Sequence, residues 1–128
     1  MKVKEVMRTS VPKVSPGATV GEVLSRMDGS NITSLAIEDA EGFLLGVARV
    51  ADLSRALGEG SVASSAAVGD GLSSHLATAT PEMDVARVAE MMRDKGVEDI
   101  MVVEGRYLVG ALSLAEAVKA ETGPRRAL

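Results

Sequence analysis

The chain has 128 residues, a formal net charge of −4, 46% hydrophobic and only 2% aromatic residues, and no cysteine. That length admits one domain or two small halves sharing a core. The missing cysteines exclude disulfides and thiolate metal sites, and the acidic balance argues against binding of a nucleic-acid backbone. The core must be aliphatic, built from Val, Leu, Ile, Ala and seven Met. No apolar run approaches the roughly 20 residues of a membrane helix, and the N-terminus has no signal-peptide h-region. The expected setting is a reducing cytoplasm.

In chain order the sequence is a repeat. Lys2, Lys4, Arg8 and Lys13 cluster at the start and read as a solvated edge or as neighbours of a polyphosphate. Val14-Ser15-Pro16 is answered by Ala79-Thr80-Pro81, an offset of 65. Thr19 and Glu22 form a T-x-x-E capping box, and Asp84 is the equivalent cap in the second half. The helix faces then match: Val20, Val23, Leu24 and Met27 against Val85, Val88, Ala89 and Met92. Gly29 and Gly96 are placed to stop these helices. Apolar strands follow at Leu35-Ala36-Ile37 and Ile100-Met101-Val102-Val103, then turns at Asp39–Gly42 and Glu104–Arg106. The only aromatics, Phe43 and Tyr107, fall three residues before Gly46 and Gly110. They read as strand packing or as flanks of a ligand ring.

Each half closes on a strand that switches to helical spacing. In the first, Leu44–Val47 is an apolar run, and Val50, Leu53 and Leu57 then recur at i, i+3 and i+7. Asp52 therefore lands in the first helical turn, where N–H groups lack partners. Such an end can hold an anion while the carboxylate takes hydroxyls. The echo at Leu108–Val118 places Ser113 and Glu116 at the matching corner, where S-x-x-E is also a capping box. Residues 58–67, rich in Gly, Ser and Ala, read as a partly mobile linker, and 122–128 as a frayed tail. The division is thus repeat 1 at 1–57, linker 58–67, repeat 2 at 68–121 and tail 122–128. Val20, Val23, Met27, Val88, Met91 and Met92 look like more apolar helix surface than one core uses, which suggests self-association.

Each half reads β-α-β-β-α. With the Val6-Met7-Arg8-Thr9 opening, the Pro16-x-x-Thr19-Val20 step and the Gly46-to-Asp52 unit, the chain resembles the CBS domain family over about residues 3 to 120. The whole looks like one tandem pair, a Bateman module. The resemblance implies an α/β (α+β) fold of two repeats packed sheet to sheet about a pseudo-twofold axis. It implies a regulatory module, not an enzyme, with no catalytic residues, no metal site and no required cofactor. Its ligand would be an adenosyl nucleotide (AMP, ADP or ATP, and less so S-adenosylmethionine or NAD) in the cleft between repeats. Its partners would be a second copy, in a disc of four repeats, and a separate regulated protein; a membrane is not among them. An alternative is an assembly module with empty sites.

The family's ribose–phosphate motif resembles Gly-h-h-Ser/Thr-x-x-Asp. Gly46-Val47-Ala48-Arg49-Val50-Ala51-Asp52 keeps the aspartate but has Arg49 for the hydroxyl. Gly110-Ala111-Leu112-Ser113-Leu114-Ala115-Glu116 keeps Ser113 but has the longer Glu116 for the aspartate. Arg49 could pair with phosphate or fold onto Asp52 and close the site. On the base side the resemblance points to Thr9, Ser10, Val11 and Pro12 with Ser34 in one half, and to Ser74, His75 and Leu76 with Asp99 in the other. His75 is the lone histidine and so no metal ligand. The expectation is an asymmetric pair: a stronger Asp52 site, with Arg8 and Lys13 nearby, and a weak Ser113 site with no added cation.

Overall fold

The computed structural model describes residues 1–28, 34–71 and 77–122, with 70, 71, 121 and 122 described for their backbone alone. Ser74, His75 and Leu76, the Gly29 stop and the tail beyond 122 lie outside the described residues. The chain divides into two compact units, Pro12–Leu76 and Met1–Val11 with Ala77–Leu128.

The Pro12–Leu76 unit contains β1 (Lys13–Val14), α1 (Val20–Met27), β2 (Ser34–Glu38), β3 (Leu44–Arg49) and α2 (Val50–Gly58). Its sheet runs β1-β2-β3, with β1 parallel and β3 antiparallel to β2. The other unit repeats this as β4 (Thr78–Ala79), α3 (Val85–Lys95), β5 (Asp99–Glu104), β6 (Tyr107–Ser113) and α4 (Leu114–Thr122), with the same order and directions. The α/β fold and its two-fold repetition are as the sequence predicts.

The local chemistry explains the elements. Thr19 Oγ1 accepts from the Glu22 N–H at 3.1 Å, and the Glu22 carboxylate accepts from the Thr19 N–H at 2.9 Å, so the α1 capping box forms. Asp84 differs from its expected role: its side chain makes no cap bond, while the Val85 N–H donates to the Met1 carbonyl at 2.9 Å, as Val20 does to Ala66 in the other repeat. The carboxylate lies 3.6 Å from the Met1 amino group. Gly96 closes α3 in the left-handed region at φ 67°, where a side chain would be strained. Asp39 Oδ1 accepts from the Glu41 and Phe43 N–H groups, which fixes the β2–β3 turn.

Each unit has an aliphatic core. Val20, Val23, Met27, Leu35, Ile37, Ala48, Leu53 and Val68 form one, and Val3, Val85, Val88, Ala89, Met92, Ile100, Val102, Leu112 and Ala117 lie in the other. This corrects one expectation. Val20, Val23, Met27, Val88 and Met92 are consumed internally, each at most 3% exposed, and do not supply surplus surface. A three-stranded sheet beside two helices needs all of them to keep its single apolar layer dry.

The segment ahead of each repeat serves the other repeat's unit. Val3 and Val68, 65 residues apart, are both fully buried, but Val3 sits in the core of 77–122 and Val68 in the core of 12–71. Their backbone bonds correspond. The Val3, Lys4 and Val85 N–H groups donate to Met83, Pro81 and Met1, just as Val68, Gly69 and Val20 donate to Ala18, Pro16 and Ala66. The Gly/Ser/Ala stretch is thus tied along α1, with Gly21 N–H also donating to the Ser64 carbonyl at 2.9 Å.

Candidate functional site

Two strand-to-helix corners carry the residues singled out from sequence, one in each unit. In the first, β3 ends at Arg49, whose backbone is extended and whose side chain makes no cap bond to α2. Among the described residues the Arg49 guanidinium takes part in no ion pair or hydrogen bond. Asp52 is the third residue of α2, and its Oδ1 accepts from Arg55 Nη2 at 3.2 Å. The alternative in which Arg49 folds onto Asp52 is therefore not the arrangement adopted. Arg55, one turn further along the helix, reaches the carboxylate without leaving its own face. Both partners of that pair are more than half exposed, 66% and 53%, so it stabilises little and is readily exchanged.

Neighbouring residues of this unit follow from the sheet register. Ser34 stands opposite Arg49, Ala36 opposite Val47 and Ile37 opposite Gly46. The Pro12 carbonyl accepts from the Ala36 N–H at 3.1 Å. Pro12, Ser34, Gly46, Val47, Arg49 and Asp52 are thus gathered in one unit, and Thr9, Ser10 and Val11 continue from Arg8 in the other. Lys13 is not at this corner: its Nζ lies 3.4 Å from Glu38, at the far end of β2 from Ser34.

The second corner is internally satisfied. Ser113 Oγ accepts from the Glu116 N–H at 3.0 Å, and Glu116 Oε1 accepts from the Ser113 N–H at 2.8 Å. The Leu114 N–H donates to the Glu98 carbonyl at 2.7 Å. Arg8 Nε then reaches Glu116 Oε1 at 3.1 Å, and Arg8 Nη2 lies 3.8 Å from Asp99 Oδ1. Partial burial pushes the Glu116 carboxyl up, but the Ser113 N–H and the Arg8 guanidinium together outweigh it and hold the pKa below the ordinary value. The expectation that Arg8 serves the Asp52 site and that the Ser113 corner has no added cation is thus reversed. The physical reason is the backbone: Arg8 and Ala111 exchange N–H···O bonds of 2.8 and 2.9 Å, which fixes Arg8 beside β6.

Gly110 makes that approach possible. A Cβ there would stand 2.6 Å from Met7 Sδ and 2.9 Å from the Arg8 carbonyl oxygen. This glycine has a packing role that its place in a ligand motif does not suggest, although a glycine inside a strand is itself a signal of close backbone approach. Tyr107 is 53% exposed and Phe43 half-buried, so the two aromatics are not core residues in the same sense. Among the described residues no group of three or more His, Cys, Asp or Glu could hold a metal ion, and no helix is long and apolar enough to cross a membrane.

Comparison with known proteins agrees with this architecture. The CBS domain family matches residues 3–59 and again 68–123. The chain is 26% identical over 115 residues to the CBS domain-containing protein YhcV of Bacillus subtilis, covering 89% of this chain and 81% of that one. Its fold is similar to that of CBSX2 in complex with AMP (TM-score 0.84, 21% identity, 94% and 95% of the two chains). It is also similar to the CBS domain pair of protein MJ0100 in complex with 5-methylthioadenosine and S-adenosyl-L-methionine (TM-score 0.79, 22% identity, 98% of each chain). The chain belongs to the CBS domain family, of which it carries two copies.

Proposed function

We propose that this CBS pair is a ligand-sensing regulatory module that binds one adenosyl nucleotide per chain at the Asp52 corner, with AMP, ADP and ATP ahead of S-adenosylmethionine and NAD. The observation that carries this reading is the contrast between corners. Among the described residues Asp52 is held by an exposed pair with Arg55 alone and the Arg49 side chain beside it has no partner, whereas Glu116 is engaged by both Ser113 and Arg8. A nucleotide needs a carboxylate for its ribose hydroxyls and a cation for its phosphates, and the Asp52 corner offers both. That CBSX2 takes AMP, and the MJ0100 pair 5-methylthioadenosine and S-adenosyl-L-methionine, supports an adenosyl ligand.

In this reading the protein is regulatory, acts in the cytoplasm, forms a homodimer and passes its signal to a separate protein. Leu24, Met91 and Ala120 pack in part against the cores and, with Leu57, stay partly exposed on helices; a second copy would cover that remainder, and light scattering at tens of micromolar should then read a dimer. Isothermal titration with AMP and ATP tests the site. About one ligand per chain is expected. Asp52→Ala should weaken binding roughly tenfold to a hundredfold, as loss of a charged acceptor costs about 1.5–3 kcal/mol. Arg49→Ala should weaken ATP more than adenosine. A greater loss for Glu116→Ala than for Asp52→Ala would overturn the assignment, and no heat with any adenosyl compound would favour the assembly module.

A further inference from the structure

The ion-pair cluster of Arg8, Glu116 and Asp99 is not accounted for by binding at Asp52. Arg8 comes from the first turn of chain, 108 residues from Glu116. It is seated by main-chain bonds to Ala111 and by the space above Gly110, independently of its own side chain. The guanidinium then pairs with one oxygen of the carboxylate that stands where Asp52 stands in the other repeat, and it also approaches Asp99, opposite Ser113 in the sheet. The S-x-x-E pair is bonded to itself through the Ser113 N–H and Oγ and the Glu116 N–H and Oε1, and Arg8 adds a second donor to that same Oε1.

We propose that Arg8 is an intramolecular latch on the second corner, a tethered cation that holds Glu116 against ligand and makes the pair a single-site module. The proposal rests on the reading of the corners as nucleotide sites and names what regulates the second one. A ligand's hydroxyls and the Arg8 guanidinium compete for the Glu116 carboxylate, whose Oε1 Arg8 already holds, and Arg8 is delivered at high effective concentration by the main-chain bonds of Arg8 to Ala111. Releasing the latch leaves the fold in place, because the Arg8 main chain stays bridged to Ala111.

The test is titration of AMP into the full chain, wild type beside Arg8→Ala and Arg8→Met, the second keeping the aliphatic stem. Thermal melts confirm that both remain folded. The expected result is about one AMP per wild-type chain and about two per chain in both variants, with the added site removed again by Glu116→Ala. One AMP in wild type and one in the variants overturns the latch and leaves the Asp52 reading standing. None in wild type but one in the variants, sensitive to Glu116→Ala, supports the latch and overturns the Asp52 reading. Two in wild type with one lost in the variants overturns the latch and makes Arg8 a phosphate ligand. No binding in any of the three overturns both.

Discussion

At the scale of single residues, the two corners differ in who holds the carboxylate. Glu116 titrates below the ordinary carboxylate value of 4.5, so its contribution to stability is complete above that pH and is lost as pH falls through the lower folded-state value. Glu82, bonded by Lys2 and Lys4, is held at about 2 and loses its contribution between pH 4.5 and that value. It is fully exposed, so the pair stabilises little. Glu116→Gln should therefore lower the melting temperature at pH 7 and converge on wild type as the pH falls below 4.5 and Glu116 takes up its proton. Melts that run parallel over that range would mean the Arg8–Glu116 pair contributes nothing. None of this was legible at the residue level. Arg8 and Glu116 are both visible as charged residues, but nothing local connects positions 108 apart. Asp52 and Arg49, by contrast, were placed correctly at a strand-to-helix switch, because periodicity is a local signal.

At the scale of elements, the repeat was legible because each half spends the same few devices in the same order. The T-x-x-E box, the paired prolines, the 3.6-residue apolar faces and the glycine turns each act within a few residues, and α1 to α4 and the long strands stand where those signals put them. Asp84 is the exception. Its residue type fits a cap, but its carboxylate makes no cap bond and lies against the Met1 amino group instead. The consequence is measurable. Thr19→Ala should cost about 1 kcal/mol, as an N-cap loss does, while Asp84→Ala should cost only what an exposed ion pair contributes, within about 0.5 kcal/mol. Chemical denaturation of the two variants decides it: equal losses would show that Asp84 caps α3 after all.

At the scale of the whole molecule, order along the chain and membership of a core are different things. Residues 1–11 belong with 77–128, and the stretch before the second repeat belongs with the first. The sequence did contain the clue, since Val3 and Val68 are 65 residues apart, like the prolines, but short apolar residues outside periodic segments carry no weight until their burial is seen. Truncating either valine removes two methyl groups from a fully buried site, at a cost of roughly 1–3 kcal/mol. The location of the damage is the sharper prediction. Val3→Ala should raise amide exchange across α3, β5 and α4, where the Val3 side chain and the Met83 and Pro81 carbonyls meet, and leave α1 and β2, closer in sequence, protected. Val68→Ala should do the reverse, loosening α1 and β2 and sparing α3. Exchange mapped by mass spectrometry reads both variants in one experiment. Damage that followed sequence proximity instead, with Val3→Ala loosening α1, would show that the leading segments do not complete the cores of the opposite repeats.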